Sequence, residues 1–322
     1  MRKARISRNM VSTMKGLPGE WDIKTKKNVK WVASLGSQSY GNPVVAGGKV
    51  YVGTNNESPR DKKQVGDRSI LYCFDEKTGA FLWQLVVPKL KSGKVNDWES
   101  LGLLASPLVE GNRLWIVTSR CEVLCLDTEG MANGNEGPYT DEAKYMAKDT
   151  PKESAPVDPS KQDADLIWRY DMMDELGVFP HNASNSSVIM VDGILYVCTS
   201  NGQDWTHVNI PSPTSPSFIA LDAKTGKLVG EDNVGVGPRI FHGQWTSPST
   251  GKVGGQNLVF FGGGDGVAAF WAVDGAGGLE GGAGGGRWVP HGGAGASGTG
   301  VFDRIGGAVG AIGSVGEFVG GG

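Results

Sequence analysis

Short runs in which apolar and polar residues alternate recur through the first 274 residues, and a glycine-containing turn separates the two runs of each pair. The pairs are NPVVAGGKVYVGT from Asn42, SPLVEGNRLWIVT from Ser106, SSVIMVDGILYVCT from Ser186 and SPSTGKVGGQNLVFFG from Ser247. Alternation with a period of two predicts strands, and the turn residues predict that each pair is a β-hairpin. The chain therefore contains four predicted hairpins in series.

A second two-strand unit follows each of the first three hairpins, and in two cases a D-x-K-T-G turn joins its strands. The aspartate of this turn, Asp75 or Asp222, can accept hydrogen bonds from the turn's own N–H groups. The glycine, Gly79 or Gly226, permits the positive φ that a tight turn requires. The pattern predicts repeats of four strands each and an all-β fold.

The fourth strand of a repeat is predicted to carry a tryptophan. Trp83 occupies this position in the first repeat, and Trp168, in DLIWRYD, occupies it in the second. Trp31, in NVKWVASLG, is predicted to lie on a fourth strand without the three strands that should precede it. Gly230 stands in the tryptophan position of the third repeat, which predicts a weaker seam between that repeat and the next.

The pattern small-x-Asp-x-x-Thr-Gly-x-x-x-Trp resembles the tryptophan-docking motif of the β-propellers built from pyrroloquinoline quinone (PQQ) repeats. It is formed here by Cys73, Asp75, Thr78, Gly79 and Trp83, and in part by Ala220, Asp222, Thr225 and Gly226. Asp127 begins the corresponding, shorter turn of the second repeat. The resemblance covers residues 29–274 and implies an incomplete propeller of about four four-stranded blades, in which tryptophans join neighbouring blades. An eight-bladed ring cannot close with these strands, so self-association through open blade faces is expected.

This superfamily includes quinoprotein alcohol dehydrogenases and outer-membrane assembly lipoproteins of the BamB type. The dehydrogenases typically have two adjacent cysteines beside the cofactor, and the sequence contains no adjacent cysteines. The resemblance therefore favours a non-catalytic binding or assembly scaffold with no cofactor assigned. The alternative is a PQQ-dependent alcohol or sugar dehydrogenase, with PQQ and calcium, whose cofactor site is partly lost.

Catalytic side chains are not predicted, because no carboxylate of the chain aligns with a catalytic motif of the family. The loop carboxylates are interpreted as solvated charges: Asp97, Glu99, Asp171, Asp174 and Glu175. The four cysteines fall at positions where other repeats have small residues, so they are interpreted as small buried fillers rather than as redox or metal groups.

Six loop residues are the binding candidates: His181, Asn182, Trp205, His207, His242 and Trp245. Their loops lead into the first strand of a blade or connect its second and third strands, so all are expected at one rim. Loops on a rigid scaffold commonly carry binding, here of other proteins or of a small ligand. The simpler interpretation is that Trp205 and Trp245 only cover loop backbone. Spacings of 26 and 35 residues between the histidines encode no metal motif, so no metal is predicted unless folding brings them together.

Charge and composition exclude some classes of partner and mark two segments outside the repeats. The net charge of −3 excludes the cationic excess of a nucleic-acid-binding protein, and no apolar run is long enough to cross a membrane. Residues 1–28 form a basic N-terminal lead without an apolar signal segment, although the resemblance implies an exported, periplasmic protein. Residues 129–165 are predicted to form a flexible surface loop with one short helix near residues 141–147.

The last 48 residues have a different composition, since residues 275–322 contain 21 of the 51 glycines. Glycine at this density favours a disordered low-complexity tail. Glycine, alanine, valine, aspartate and glutamate, whose codons all begin with G, fill 35 of the 48 positions, which suggests the hypothesis of an out-of-frame C-terminus.

Overall fold

Antiparallel four-stranded sheets are the repeating unit of the fold. The computed structural model describes residues 14–147, 158–232, 234–253, 255–266, 268–273, 279–281 and 288–290. The first sheet contains β1 (Val44–Ala46), β2 (Lys49–Asn55), β3 (Arg68–Asp75) and β4 (Phe81–Pro88). The second sheet contains β5 (Leu108–Glu110), β6 (Arg113–Val117), β7 (Glu122–Asp127) and β8 (Leu166–Asp171).

Two further sheets follow in the same strand order. The third contains β9 (Ile189–Val191), β10 (Ile194–Cys198), β11 (Phe218–Asp222) and β12 (Leu228–Asp232). The fourth contains β13 (Ser249–Val253), β14 (Gln256–Gly262), β15 (Ala268–Val273) and β16 (Leu279–Gly281), and β17 (Trp288–Pro290) pairs with β12. Helices α1 (Glu142–Ala147) and α2 (Met172–Leu176) lie in loops, as do three 3-10 turns, Gly93–Val95, Gly130–Asn133 and Gly237–Arg239. The predicted all-β, incomplete propeller of about four blades is confirmed.

Two short strands lie beyond residue 274, the predicted end of the propeller. Strands β16 and β17 lie within the segment predicted to be a disordered tail, and both pair along their backbones with earlier strands. Such pairing uses only N–H and C=O groups, which glycine-rich segments also supply. The remainder of the predicted tail lies outside the described residues.

Small residues on the third strand of a blade separate two aromatic side chains. In the first blade Cys73 is paired with Tyr51 on one side and with Trp83 on the other. The second blade repeats this row as Trp115, Cys125 and Trp168, and the third as Tyr196, Ala220 and Gly230. All four cysteines are buried and unpaired, and burial raises the pKa of Cys73, Cys125 and Cys198 to about 12. Such thiols pack as small apolar groups and stay protonated near neutral pH.

The fourth-strand tryptophans of the first two blades each lie on the turn of the following blade. Trp83 donates from Nε1 to the carbonyl of Thr128 at 3.0 Å, and a Cβ added to Gly130 would lie 2.9 Å from its ring. Trp168 repeats the contact with the carbonyl of Ala223 at 3.3 Å and with Gly226 at 2.6 Å. Because both glycines also have positive φ, only glycine fits beneath these rings.

Trp31 makes the same contact without the predicted strand. Its Nε1 donates to the carbonyl of Glu76 at 3.0 Å, and a Cβ on Gly79 would lie 2.5 Å from its ring. Residues 28–43 nevertheless form no strand. A strand requires a hydrogen-bonded neighbour, and within the described chain no strand pairs with this segment, so the side chain docks while the backbone stays irregular.

A ladder of hydroxyl contacts joins the starts of the four blades. The Asn42 N–H donates to Ser106 Oγ at 2.8 Å, the Ser106 N–H to Ser187 Oγ at 2.9 Å, and the Ser187 N–H to Ser247 Oγ at 3.0 Å. Each residue lies just before the first strand of its blade. We call this series the serine ladder; together with the tryptophans it satisfies polar groups where blades meet.

The loop after β7 is not a freely solvated segment, contrary to the prediction. The short helix was predicted correctly, as α1, but Tyr145 and Met146 on it are buried. Tyr145 donates to Glu122 Oε2 at 2.8 Å, and the Met146 carbonyl accepts from Arg68 at 3.0 Å. Helix α1 is therefore held against the first residues of β3 and β7, in two neighbouring blades. Residues 148–157 of this predicted loop lie outside the described residues.

Two of the loop carboxylates interpreted as solvated charges are structural. Asp97 is buried, pairs with Lys89 and accepts from the Leu90 N–H at 3.1 Å; burial raises its pKa to about 6 despite the lysine. Asp171 caps α2 by accepting from the N–H groups of Met173 and Asp174. Residue spacing reveals neither role, because Asp97 is buried by the fold of its loop and Asp171 ends β8 directly before α2. Glu99, Asp174 and Glu175 are exposed.

Asp165 provides a test of pH dependence. It is buried, it accepts from the Glu136 N–H at 2.9 Å, and burial together with nearby Glu142 and Asp127 raises its pKa to about 6. This exceeds the unfolded value of about 4, so the folded state binds the proton more tightly. The stability from this group is therefore full below about pH 4 and is lost as the pH rises to about 6.

Asp165→Asn should flatten the decline in stability between these pH values and leave the protein at least as stable near pH 7. Urea midpoints measured across this range test the expectation, with exposed Asp174→Asn as the control. An unchanged pH profile in Asp165→Asn would show that Asp165 does not titrate in this window.

Candidate functional site at the loop rim

Three loops meet at one end of the third and fourth blades. They follow β8, β10 and β12, and in an antiparallel blade the turns after the second and fourth strands lie at the same end. His181 lies on the first of these loops, His207 on the second and His242 on the third. The strand order alone thus brings the three histidines to one rim.

Backbone hydrogen bonds hold the loops against one another. The Gly202 N–H donates to the Phe179 carbonyl, the Gln203 N–H to the His242 carbonyl and the Gln244 N–H to the Asn201 carbonyl, each at 2.9 Å. A Cβ on Gly202 would lie 2.6 Å from His181 Cβ and 2.7 Å from the His242 carbonyl. Glycine at this position allows the close approach on which the site depends.

The three imidazoles form a triangle, which we call the histidine cluster. Ring centroids are 4.4 Å apart for His181 and His242, 4.7 Å for His207 and His242, and 4.9 Å for His181 and His207. One nitrogen from each ring lies within 4.8 Å of the other two. His181 is buried, His242 is half-buried and His207 is exposed. Among the described residues this is the group of histidine, cysteine and acidic side chains that could hold a metal ion.

Hydrogen bonding fixes the protonation of His181. Its Nδ1 lies 2.6 Å from the Gln203 carbonyl, which can only accept, so Nδ1 carries the proton and Nε2 the lone pair. Nε2 of His181 and Nε2 of His242 are buried and have no hydrogen-bond partner among the described residues. Burial lowers the pKa of both His181 and His242, and the neighbouring imidazoles lower it further. The hydrogen bond to the Gln203 carbonyl acts in the opposite direction and raises the pKa of His181, but the net shift of His181 is still downward. Both rings are therefore neutral at neutral pH.

The other sequence candidates surround this cluster. Trp245 packs against His242 with centroids 4.9 Å apart and donates from Nε1 to the His181 carbonyl at 3.0 Å. Trp205 is 55% exposed, with its centroid 6.4 Å from that of His207. Asn182 follows His181 in the sequence, but its backbone is hydrogen-bonded to the loop after β4: its N–H donates to the Val95 carbonyl, and its carbonyl accepts from the Trp98 N–H. Trp245 thus packs on loop backbone, whereas more than half of the Trp205 surface is exposed.

Exposed apolar residues beside the cluster were missed from the sequence. Val208 is 76% exposed and Phe241 is 75% exposed, and each is the chain neighbour of a cluster histidine. Trp205, Val208 and Phe241 are the exposed large apolar residues of the described parts of these three loops, and we call this set the rim patch. Val208 and Phe241 lie on the same loops as the predicted histidines, so the loop positions could have been found from the sequence. Whether an apolar side chain on a loop is exposed depends on the fold, which the sequence pattern did not show.

The fold and the stacked tryptophan contacts define a PQQ-like β-propeller. A family model described as "Outer membrane protein assembly factor BamB" (PQQ_2) matches residues 6–85 and 67–280, and the chain belongs to this family. The resemblance seen in the sequence is confirmed. A search of curated proteins gave no match.

Similar solved structures include quinohemoprotein alcohol dehydrogenase from Comamonas testosteroni, with 11% identity and a TM-score of 0.42. The alignment covers 76% of this chain and 35% of the dehydrogenase, so the chain spans about a third of that protein. BamB from Moraxella catarrhalis shares 14% identity over 80% of this chain and 72% of its own, with a TM-score of 0.30. Within the part of the chain that the structure describes, no helix has the length and apolar composition to cross a bilayer.

Proposed function

We propose that the protein is a non-catalytic scaffold that binds a segment of another protein at its loop rim. The rim patch carries this proposal, because Trp205, Val208 and Phe241 expose apolar surface on loops that hydrogen bonds hold in place. Apolar surface exposed in this way is typical of interaction sites. As part of the proposal, the protein acts outside the cytoplasm, in keeping with the name of its family.

The family resemblance supports a second candidate function, that of a PQQ-dependent dehydrogenase. Calcium on a quinone requires oxygen ligands, whereas the cluster at the described rim offers three imidazole nitrogens. Adjacent cysteines are absent from the sequence. The histidine cluster therefore does not match the ligand set of calcium, and no catalytic step is assigned.

Peptides selected by display against the purified full chain provide the binding test. The double variant Trp205→Ser/Phe241→Ser should weaken their binding at least about tenfold, since exposed aromatic anchors dominate such interfaces. Tyr40→Ser/Val45→Ser, which removes exposed apolar groups elsewhere, is the matched control. Equal binding by the rim variant and the parent would place the interaction surface elsewhere.

A dye-linked oxidation assay tests the enzyme alternative. We expect no turnover of alcohols or sugars when the full chain is supplied with PQQ and calcium. Measurable turnover that depends on both additions would overturn the non-catalytic proposal in favour of the dehydrogenase.

A further inference from the structure

The histidine cluster has the donor set of a transition-metal site. Neutral imidazole is a common ligand of zinc, with Zn–N distances of about 2.0–2.1 Å, and sites with three protein ligands leave one position open. Calcium and magnesium prefer oxygen, so three nitrogens select against them. We propose that His181, His207 and His242 bind one Zn²⁺ ion at the loop rim.

The protonation state suits this role. A zinc-ligating histidine usually donates its other ring N–H to a carbonyl or carboxylate, which fixes the ring and its tautomer. His181 does this with the Gln203 carbonyl and keeps the Nε2 lone pair. Nε2 of His181 and of His242 are the buried ring nitrogens that lack a hydrogen-bond partner among the described residues. A metal ion would satisfy both.

The ligand nitrogens of the three histidines must move slightly closer together to bind one zinc ion, and the structure permits this movement. The widest separation of ligand nitrogens is within 4.8 Å, and two nitrogens on one zinc ion lie about 3.3 Å apart in tetrahedral geometry. His181 and His242 are fixed by the hydrogen-bonded loops, so His207, which is exposed on the tip of its loop, makes the adjustment. Its backbone has a left-handed φ of 56°, and its ring centroid already lies 4.9 Å from that of His181 and 4.7 Å from that of His242.

The ligands come from three separate loops of two neighbouring blades. Sequence spacing could not show this site, because no two of the histidines are close along the chain. Three protein ligands leave a fourth position for water or for a donor from a partner. The proposed zinc ligands are not residues of the rim patch, so zinc binding does not depend on the rim patch binding a protein segment.

Titration of the metal-free full chain with Zn²⁺, against a chromophoric zinc chelator, tests the proposal. One ion should bind per chain, and affinity should fall at low pH because protons compete with the metal for its ligand atoms. His207→Ala and His242→Ala should each weaken binding at least about 100-fold, since even loss of an outer hydrogen bond costs about 10- to 100-fold. His291→Ala, which removes the remaining histidine, is the control and should bind as the parent does.

Circular dichroism separates loss of the site from loss of the fold, since His207 is exposed and its replacement should leave the spectrum unchanged. Co²⁺ should give the visible absorption of a four-coordinate site in the parent and not in His207→Ala. Calcium should not compete for the site. One-to-one zinc binding that persists within threefold in His207→Ala/His242→Ala, or that is lost in His291→Ala instead, would overturn the proposal.

Discussion

Trp83→Ala is expected to lower the free energy of unfolding by about 3 to 5 kcal/mol. The side chain is 1% exposed, packs against Tyr51 with centroids 5.9 Å apart and covers Gly130 of the next blade. Its removal leaves a cavity at a seam and an unpaired Thr128 carbonyl. Because a domain is stable by only about 5 to 15 kcal/mol, the loss is a large share of the total.

Urea denaturation of the parent and of Trp83→Ala measures this effect. Trp205→Ala is the matched control, because this tryptophan is 55% exposed and its loss should change stability by no more than about 0.5 kcal/mol. A Trp83→Ala midpoint equal to that of the parent would mean that the tryptophan contact does not stabilise the seam between the first two blades.

Glu122→Ala is expected to cost a similar amount, about 3 to 5 kcal/mol, for an electrostatic reason. Glu122 is fully buried on β7 and accepts from Arg169 at 2.7 Å and from Tyr145 at 2.8 Å. Buried Arg120 lies 3.6 Å from the same carboxylate. Without Glu122 the two guanidinium groups no longer share a carboxylate, although Arg169 keeps its pair with Asp171 at 2.8 Å. Helix α1 also loses the hydrogen bond from Tyr145 to β7.

Glu129→Ala is the control for this experiment, because Glu129 pairs with Lys49 but is half exposed, and such pairs contribute about 0 to 1 kcal/mol. Thermal or urea unfolding of both variants gives the comparison. If Glu122→Ala were as stable as Glu129→Ala, the buried carboxylate would not contribute to stability.

Local signals account for the parts of the structure that were predicted correctly. The hairpins follow from period-two patterns and turn glycines, and the D-x-K-T-G turn follows from one aspartate: Asp75 accepts from the Thr78 N–H and hydroxyl, both at 2.7 Å. These features depend on residues only a few positions apart. They suffice to specify the blades and to place the candidate loops at one rim.

Features that the sequence did not reveal depend on contacts between distant segments. Trp31 carries the docking side chain, yet strand formation requires a neighbouring edge, which its sequence does not encode. Tyr145 and Met146 looked like isolated apolar residues in a polar loop, and their burial depends on blades formed by other parts of the chain. The convergence of the histidines likewise requires three loops to be packed together, so residue types indicated a rim site but not its geometry.

The seam between the third and fourth blades has a consequence for how the rim behaves. Tryptophan rings join the first three blades, but Gly230 occupies the corresponding position at this seam, so the fourth blade is expected to detach before the others in local opening. His181 and His207 are carried by loops of the third blade, while His242 leads into the fourth. A ligand bound to all three rings would therefore link the third blade to the fourth and stabilise the seam between them. The fourth blade could then detach only when the ligand is released.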